Sequence, residues 1–445
     1  VSADPARRAA VDVVLAVERD GAFANLLLPA VLRDRRISGN DAALATELAY
    51  GTLRWQGVLD AVIAAGARRP AAALDPSVRA ALRVGAYQVL HTRVPAHAAV
   101  STTVDLARDL AGPRPVGLVN AVMRRVSESG WTTWVDRLAP KRDPLGRRAF
   151  ESGYPRWIAE AYLKALGDNE AELAALLASD RPTTHLLARP GRIDAEELAA
   201  LAGEGATVGR FSPYAVRLAG GDPSRLAPIQ DGRARVQDEG SQLVALAARR
   251  APVADGGDER WLDMCAGPGG KSSLLAGLLP AGGCLLAVDV LPHRAALVLR
   301  GVAATATTVV VADGTRPAWR ADRFDRVVAD VPCSGLGSLR RRPELRWRRQ
   351  PADVASLVPL QRDLLDSAID AARPGGIVAY ATCSPHPDET VGVVEAVVAR
   401  RPDLTRLDAR EALPDVPDVG PGPYVQLWPH KHGTDAMFIA LIRRA

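Results

Sequence analysis

Trp261-Leu262-Asp263-Met264-Cys265-Ala266-Gly267-Pro268-Gly269-Gly270-Lys271-Ser272 decides the fold. Residues 261–264 read as a strand, the glycines and proline as a tight turn, and 272–279 as the helix that follows. Glycines let backbone approach a ligand, and a helix start offers unpaired N–H groups to a polar or anionic group. Outward from this turn, from about Gln230 onward, apolar runs at 284–288, 308–311, 326–329 and 376–381 alternate with helical segments. That alternation predicts a parallel sheet in an α/β Rossmann-like domain, with 424–427 and 437–442 adding an antiparallel hairpin at its edge.

Acids close the next two strands. Asp289 follows the turn by about 20 residues, where a carboxylate commonly accepts ribose hydroxyls. Asp313 ends the third strand, in reach of an adenine edge. Dinucleotide folds need Gly-x-Gly-x-x-Gly, whereas this turn carries Gly-x-Gly-Gly with Pro268 inside, which lowers NAD. A turn of this kind alone is also compatible with a purely structural role; the two acids favour S-adenosylmethionine. The expected cofactor contacts are Cys265, Ala266, Gly267, Pro268, Gly269, Gly270, Lys271, Asp289, Asp313 and Asp330.

Two cysteines occupy the ends of the fourth and fifth strands, Cys333 in Asp330-Val331-Pro332-Cys333 and Cys383 in Ala381-Thr382-Cys383-Ser384. Ligands of open α/β sheets bind outside those carboxyl ends, so both thiols are expected to face the cofactor's methyl group. A single buried cysteine is usually inert. Two at neighbouring strand ends suit methylation of pyrimidine carbon 5, which is too weak a nucleophile to attack a sulfonium methyl unaided. Thiolate addition at carbon 6 makes carbon 5 electron-rich, and elimination follows methyl transfer. A carboxyl group near N3 would stabilise the adduct, and Asp330 is the candidate.

Cys265 to Lys271, Asp330-Val331-Pro332-Cys333-Ser334-Gly335 and Ala381-Thr382-Cys383-Ser384 resemble the signature motifs of the bacterial ribosomal-RNA cytosine-C5 methyltransferases of the RsmB (Sun/Fmu) type. The likeness extends to Val119-Asn120-Ala121-Val122-Met123-Arg124-Arg125 and to Gln237-Asp238-Glu239-Gly240-Ser241-Gln242, and so covers nearly the whole chain. It implies an N-terminal NusB-like RNA-binding bundle, a small RRM-like or ferredoxin-like subdomain and a Rossmann-like catalytic domain. It also implies that Cys383 is the nucleophile and that Cys333 assists product release. Gly267 stands where the family usually has Ala, and His432-Gly433-Thr434-Asp435-Ala436-Met437-Phe438 replaces the commoner Asp-Gly-Phe-Phe ending.

The remaining organisation follows from periodicity. Apolar residues recur at helical spacing from Pro5 to about Ser127 with almost no strand signal, which predicts a helical bundle. The expected division is 1–130 for this RNA-binding bundle, 131–147 for a linker mixing Trp, Pro and charges, 148–229 for a small α+β unit and 230–445 for the catalytic domain. A non-catalytic RNA-binding or antitermination factor is the competing reading of the bundle. A DNA cytosine methyltransferase, a third reading, would use the Pro-Cys thiol as nucleophile and lack the helical module.

Composition bounds the rest. The 445 residues are 48% hydrophobic and 24% charged, ordinary for a globular chain. The longest uncharged stretch, 272–288, is interrupted by Pro280 and several glycines, so no membrane span is expected. The first residues lack an export-type apolar core, which predicts a cytoplasmic location; a monomer is expected, and Val1 suggests an unusual start codon or a trimmed end. Four cysteines without paired spacing argue against disulfides and against a metal. The net charge is +5, with only four lysines against 52 arginines. Residues 340–349 alone carry +5, so Arg340, Arg341, Arg342 and Arg346 are expected to track RNA phosphates.

Overall fold

The computed structural model describes residues 4–445; Val1 lies outside the described residues. The contacts divide the chain into two units, one running through Leu163 and taking in Arg341–Arg349, the other comprising Lys164–Arg340 and Gln350–Ala445.

The first unit is helical. Its helices include Pro5–Asp20, Ala24–Asp34, Gly39–Ala67, Pro76–His91, Ala96–Ala111 and Val116–Ser127. Asp4 starts the first by accepting from the Arg7 N–H at 2.8 Å with Pro5 at the first position, and Gly21, at φ 67°, ends it. Val13, Val14 and Val17 on its inner face meet Leu53, Leu59, Ile63, Leu82 and Met123 in one core. The bundle packs tightly, since a Cβ at Gly85 would lie 2.2 Å from the Thr103 hydroxyl oxygen.

The expected linker is instead largely ordered as the helices Trp131–Leu138 and Pro144–Glu151. Trp134 is buried in the bundle core and donates its indole N–H to the Val126 carbonyl at 3.2 Å. Short amphipathic helices of this kind show no period long enough to read from sequence.

In the second unit, a four-stranded antiparallel sheet runs in the order Thr207–Val208, Ala215–Arg217, His185–Ala188, Ala234–Val236, with the helix Ala195–Ala202 against it. Its last strand lies beyond the boundary expected at 229.

The large sheet carries the candidate site. Its strands are β1 Arg260–Asp263, β2 Cys284–Asp289, β3 Thr307–Val311, β4 Phe324–Asp330, β5 Ala372–Thr382, β6 Leu404–Leu407, β7 Val425–Gln426 and β8 Phe438–Arg444. The order is β6-β8-β5-β4-β1-β2-β3, with β7 on β8. Strands β1 to β5 are parallel, as the five apolar runs predict. Helices cover both faces, so alternate residues enter different cores: Trp261 packs with Leu274 and Leu275, while Leu262 packs with Leu365 and Ile369. The expected terminal hairpin forms, but β8 is no edge strand: β5 pairs along one side of it, and β7 and β6 pair end to end along the other. β6 escapes a sequence reading because it is short and only half buried. Among the described residues, no helix is long and apolar enough to cross a membrane.

Candidate active site

From β1 the chain winds through β2 to β3 on one side, and β4 and β5 continue the sheet on the other. The crevice at this switch point lies outside the carboxyl ends of β1 and β4. Asp330 ends β4, and the glycine turn, Cys333 and Cys383 follow strands whose carboxyl ends meet there.

The turn after β1 is built for close approach. Gly269 adopts φ 100° and leads into the helix Gly270–Leu278, two residues earlier than expected. A Cβ there would sit 2.9 Å from the Val298 Cα, and one on Gly267 would sit 2.4 Å from the Asp289 carboxylate. Asp289 is buried and fastens the turn: one oxygen accepts the Gly267 N–H and the other the Leu291 N–H, each at 2.9 Å. Each carboxylate oxygen has two acceptor sites, so Asp289 retains capacity for hydroxyl donors. Asp313 is exposed just past β3, where hydrogen bonds from the Thr315 backbone and hydroxyl hold its carboxyl below the usual range.

Asp263, the last residue of β1, carries a signal that sequence reading missed. It is fully buried and accepts from the Ser272 hydroxyl at 2.6 Å, while its other oxygen has no donor within the protein. Burial raises its carboxyl to about 6. A glycine turn that admits no Cβ, acids at two strand ends and an unsatisfied buried acceptor together fit a polar nucleoside cofactor. Among the described residues, no group of His, Cys, Asp and Glu side chains is arranged to hold a metal ion.

Lys271, in the first turn of that helix, donates to Asp330 and to the Ser241 hydroxyl, each at 2.7 Å. Burial opposes the charge on Lys271, but Asp330, followed by Asp263 and Cys383, outweighs it and raises the ammonium pKa. The pair puts a cation and a carboxylate beside the thiols.

Although fifty residues apart in sequence, Cys333 Sγ and Cys383 Sγ are 3.4 Å apart. Both are partly exposed. The Gly337 N–H donates to the Cys383 carbonyl at 2.8 Å, and the Gly337 carbonyl accepts from Ala436 at 3.0 Å, so the two cysteine loops and the 432–438 stretch are laced together. The hydrogen bond to Cys383, then burial, then neighbouring negative charge push the Cys333 thiol well up. Cys265 is likewise raised, by burial and then by Asp330, Asp263 and Asp289. Sequence reading also missed Glu389, Gln361 and Ser384, which bond among the cysteine loops. One acid of an Asp388-Glu389 pair, six positions beyond Cys383, gives no pattern to find.

The expected phosphate path takes a correction. Arg346 is fully buried, its guanidinium 3.7 Å over the Tyr154 ring and donating to that hydroxyl at 2.7 Å. Arg340 is buried on the Thr434 carbonyl at 2.6 Å. Arg341 is half-buried, while Arg342 is exposed, 5.8 Å from the Phe23 ring centre. Protein carbonyls, a tyrosine hydroxyl and a ring, which a charge count ignores, hold these buried cations.

A family model described as "16S rRNA methyltransferase RsmB/F" matches residues 253–443, and the NusB family matches 4–128. The chain is 55% identical to the Mycobacterium tuberculosis protein named "Putative methyltransferase Rv1407", over 99% of this chain and 97% of that one. It is 34% identical to "Ribosomal RNA small subunit methyltransferase B" of Pseudomonas putida, over 90% of this chain and 91% of the relative. The solved structure described as "Crystal Structure of PH0851" shares the fold, with a TM-score of 0.83, 22% identity and full coverage of both chains. With the paired strand-end thiols, the glycine turn and relatives aligned along nearly its whole length, the chain belongs to the 16S rRNA methyltransferase RsmB/F family, with a NusB-family helical part ahead of the methyltransferase domain.

Proposed function

We propose that the chain methylates carbon 5 of a cytosine in small-subunit ribosomal RNA, using S-adenosylmethionine and a covalent enzyme–RNA adduct. The observation that carries this reading is the pair of thiols 3.4 Å apart beside Lys271 and Asp330. Two thiolates at that distance repel, so the pair favours a single negative charge, and that charge goes to Cys383, the thiol that the family resemblance implies as nucleophile. Cys383 is then the nucleophile at carbon 6, with Cys333 donating to it until attack and acting in the later elimination. Asp330, held by Lys271, faces the base edge and stabilises charge at N3 when it shares a proton there. Bound S-adenosylmethionine would supply the electrophilic methyl group, cradled by the 265–271 turn with Asp289 and Asp313 toward its nucleoside.

The base must leave its stack to expose carbon 6, so the target is an unpaired or extruded nucleotide. The helical unit takes the role of RNA capture. A solely RNA-binding antitermination role leaves the paired thiols without a purpose. Mapping 5-methylcytosine in small-subunit ribosomal RNA with and without the protein tests the reading. One cytosine should gain the mark only when the protein is present, and a methyl group placed on a purine instead would refute it.

A further inference from the structure

Glu389 lies beyond the strand end that carries Cys383, with none of its surface exposed. A carboxylate removed from water is costly unless donors surround it. Here one oxygen accepts from the Ser334 N–H at 2.7 Å and the Gln361 amide at 3.0 Å. The other accepts from the Ser384 hydroxyl at 2.6 Å and from the Ser334 hydroxyl. All these donors are neutral.

The partners are neighbours of the reactive groups. Ser334 follows Cys333 and Ser384 follows Cys383, and their hydroxyl oxygens are 3.1 Å apart. Gln361 also donates to the carbonyl of Pro332, the residue before Cys333, at 2.9 Å. Tyr380, on β5, donates its hydroxyl to the Glu389 carbonyl at 2.7 Å. One buried side chain therefore grips the residue after each cysteine, and its own amide partner grips the residue before Cys333.

We propose that Glu389 is a positioning residue for the two thiols, holding their loops within hydrogen-bond distance and placing a carboxylate beside Cys333. The proposal rests on the covalent reading above and deepens it. The groups facing Cys333 are Cys383, Glu389, Asp330 and Tyr380, with Lys271 the cation nearest Asp330. Apart from that lysine, each charge in the group opposes ionisation of Cys333. Without the charge on Glu389, the two thiols compete for one negative charge and Cys383 loses its fixed donor.

Glu389→Gln in the full chain keeps the volume and one acceptor oxygen while removing the charge. Iodoacetamide labelling of Cys333 without RNA, followed by peptide mass spectrometry between about pH 6 and 10, reads the proton directly. The expected result is a downward shift of the profile by about one unit, or about tenfold faster labelling at a fixed pH below the midpoint. In methyl-transfer assays kcat should fall about 100-fold, with KM for the cofactor within about twofold. An unmoved labelling profile overturns the proposal even if activity is lost, and so does an unchanged kcat.

Should Glu389→Gln fail to fold, Ser384→Ala frees the Cys383 arm of the clamp and keeps the charge. Coupling of Cys333 to Cys383 by a small disulfide oxidant should then slow by about fivefold, and an unchanged rate overturns the clamp. If the wild-type protein neither methylates nor traps RNA, the cytosine reading fails on its own account. The labelling and coupling experiments, which need no RNA, still decide what Glu389 does.

Discussion

Lys271 Nζ sits 2.7 Å from Asp330 Oδ2, with the lysine almost wholly buried and the aspartate partly open to solvent. The glycine turn after β1 and the end of β4 thus meet through one ion pair at the switch point of the sheet. Removing one partner of a buried pair leaves the other uncompensated. Lys271→Met should cost about 1–3 kcal/mol of stability, the lower part of the range for buried pairs because Asp330 retains some hydration. Urea denaturation measures the loss, and a change below about 0.5 kcal/mol would mean that solvent already screens the pair.

The two thiols separate by their places in the reaction. Cys383→Ala should form no RNA adduct and show no turnover while binding the cofactor normally. Cys333→Ala should add and methylate but release slowly, so that a protein–RNA adduct accumulates. Denaturing gels with labelled RNA read both. Adduct in Cys383→Ala and none in Cys333→Ala would reverse the roles and match the DNA-type arrangement.

The arginines divide by burial. Arg346→Ala removes a guanidinium that donates to Tyr154 and the Gly153 carbonyl, and it should destabilise the helical unit by about 3 kcal/mol. Arg342→Ala should leave thermal stability within about 0.5 kcal/mol and reduce the salt slope of RNA binding by about one. Melting curves and binding at several salt concentrations distinguish the two. A stability loss from Arg342→Ala, with the salt slope intact, would make it structural as well.

Acid should act on the bundle through His91. Its ring stacks on Trp55 at a centroid distance of 4.1 Å, and burial lowers its pKa to about 4. The unfolded chain regains a proton near the ordinary value of about 6.5, so between the two values it binds more protons than the folded state. Stability from this group is complete above about pH 6.5 and is lost as pH falls toward 4. His91→Phe keeps the stack and should remove about 2–3 kcal/mol of the stability difference between pH 7 and pH 4. Denaturant midpoints of both proteins at the two pH values provide the comparison; parallel losses would assign the acid limb to other groups.

What could be read from sequence was what lies close together along the chain. The turn at 265–271 declares itself because one strand, one loop and one helix start contain the whole device; Asp289 is marked by its position at a strand end, Cys333 and Cys383 by theirs just past strands. Arg346 was misread because its partners, Gly153 and Tyr154, lie far away in sequence and a charge count is blind to burial. Glu389 was invisible for the same reason: its meaning depends on Ser334 and Gln361 arriving beside it. β6 was hidden by a different cause, four residues of mixed polarity that pair only because β8 offers an open side.

The placement of β8 between β5 and β6 sets an order of assembly. During synthesis β6 leaves the ribosome before β8, yet it has no hydrogen-bonding partner in the sheet until β8 has docked on β5. Until then the outer side of β5, a long and largely buried strand, presents an open ladder to any passing extended segment. The nascent catalytic domain therefore passes through a stage of translation, after β5 has emerged and before β8 docks, in which one flank stays open.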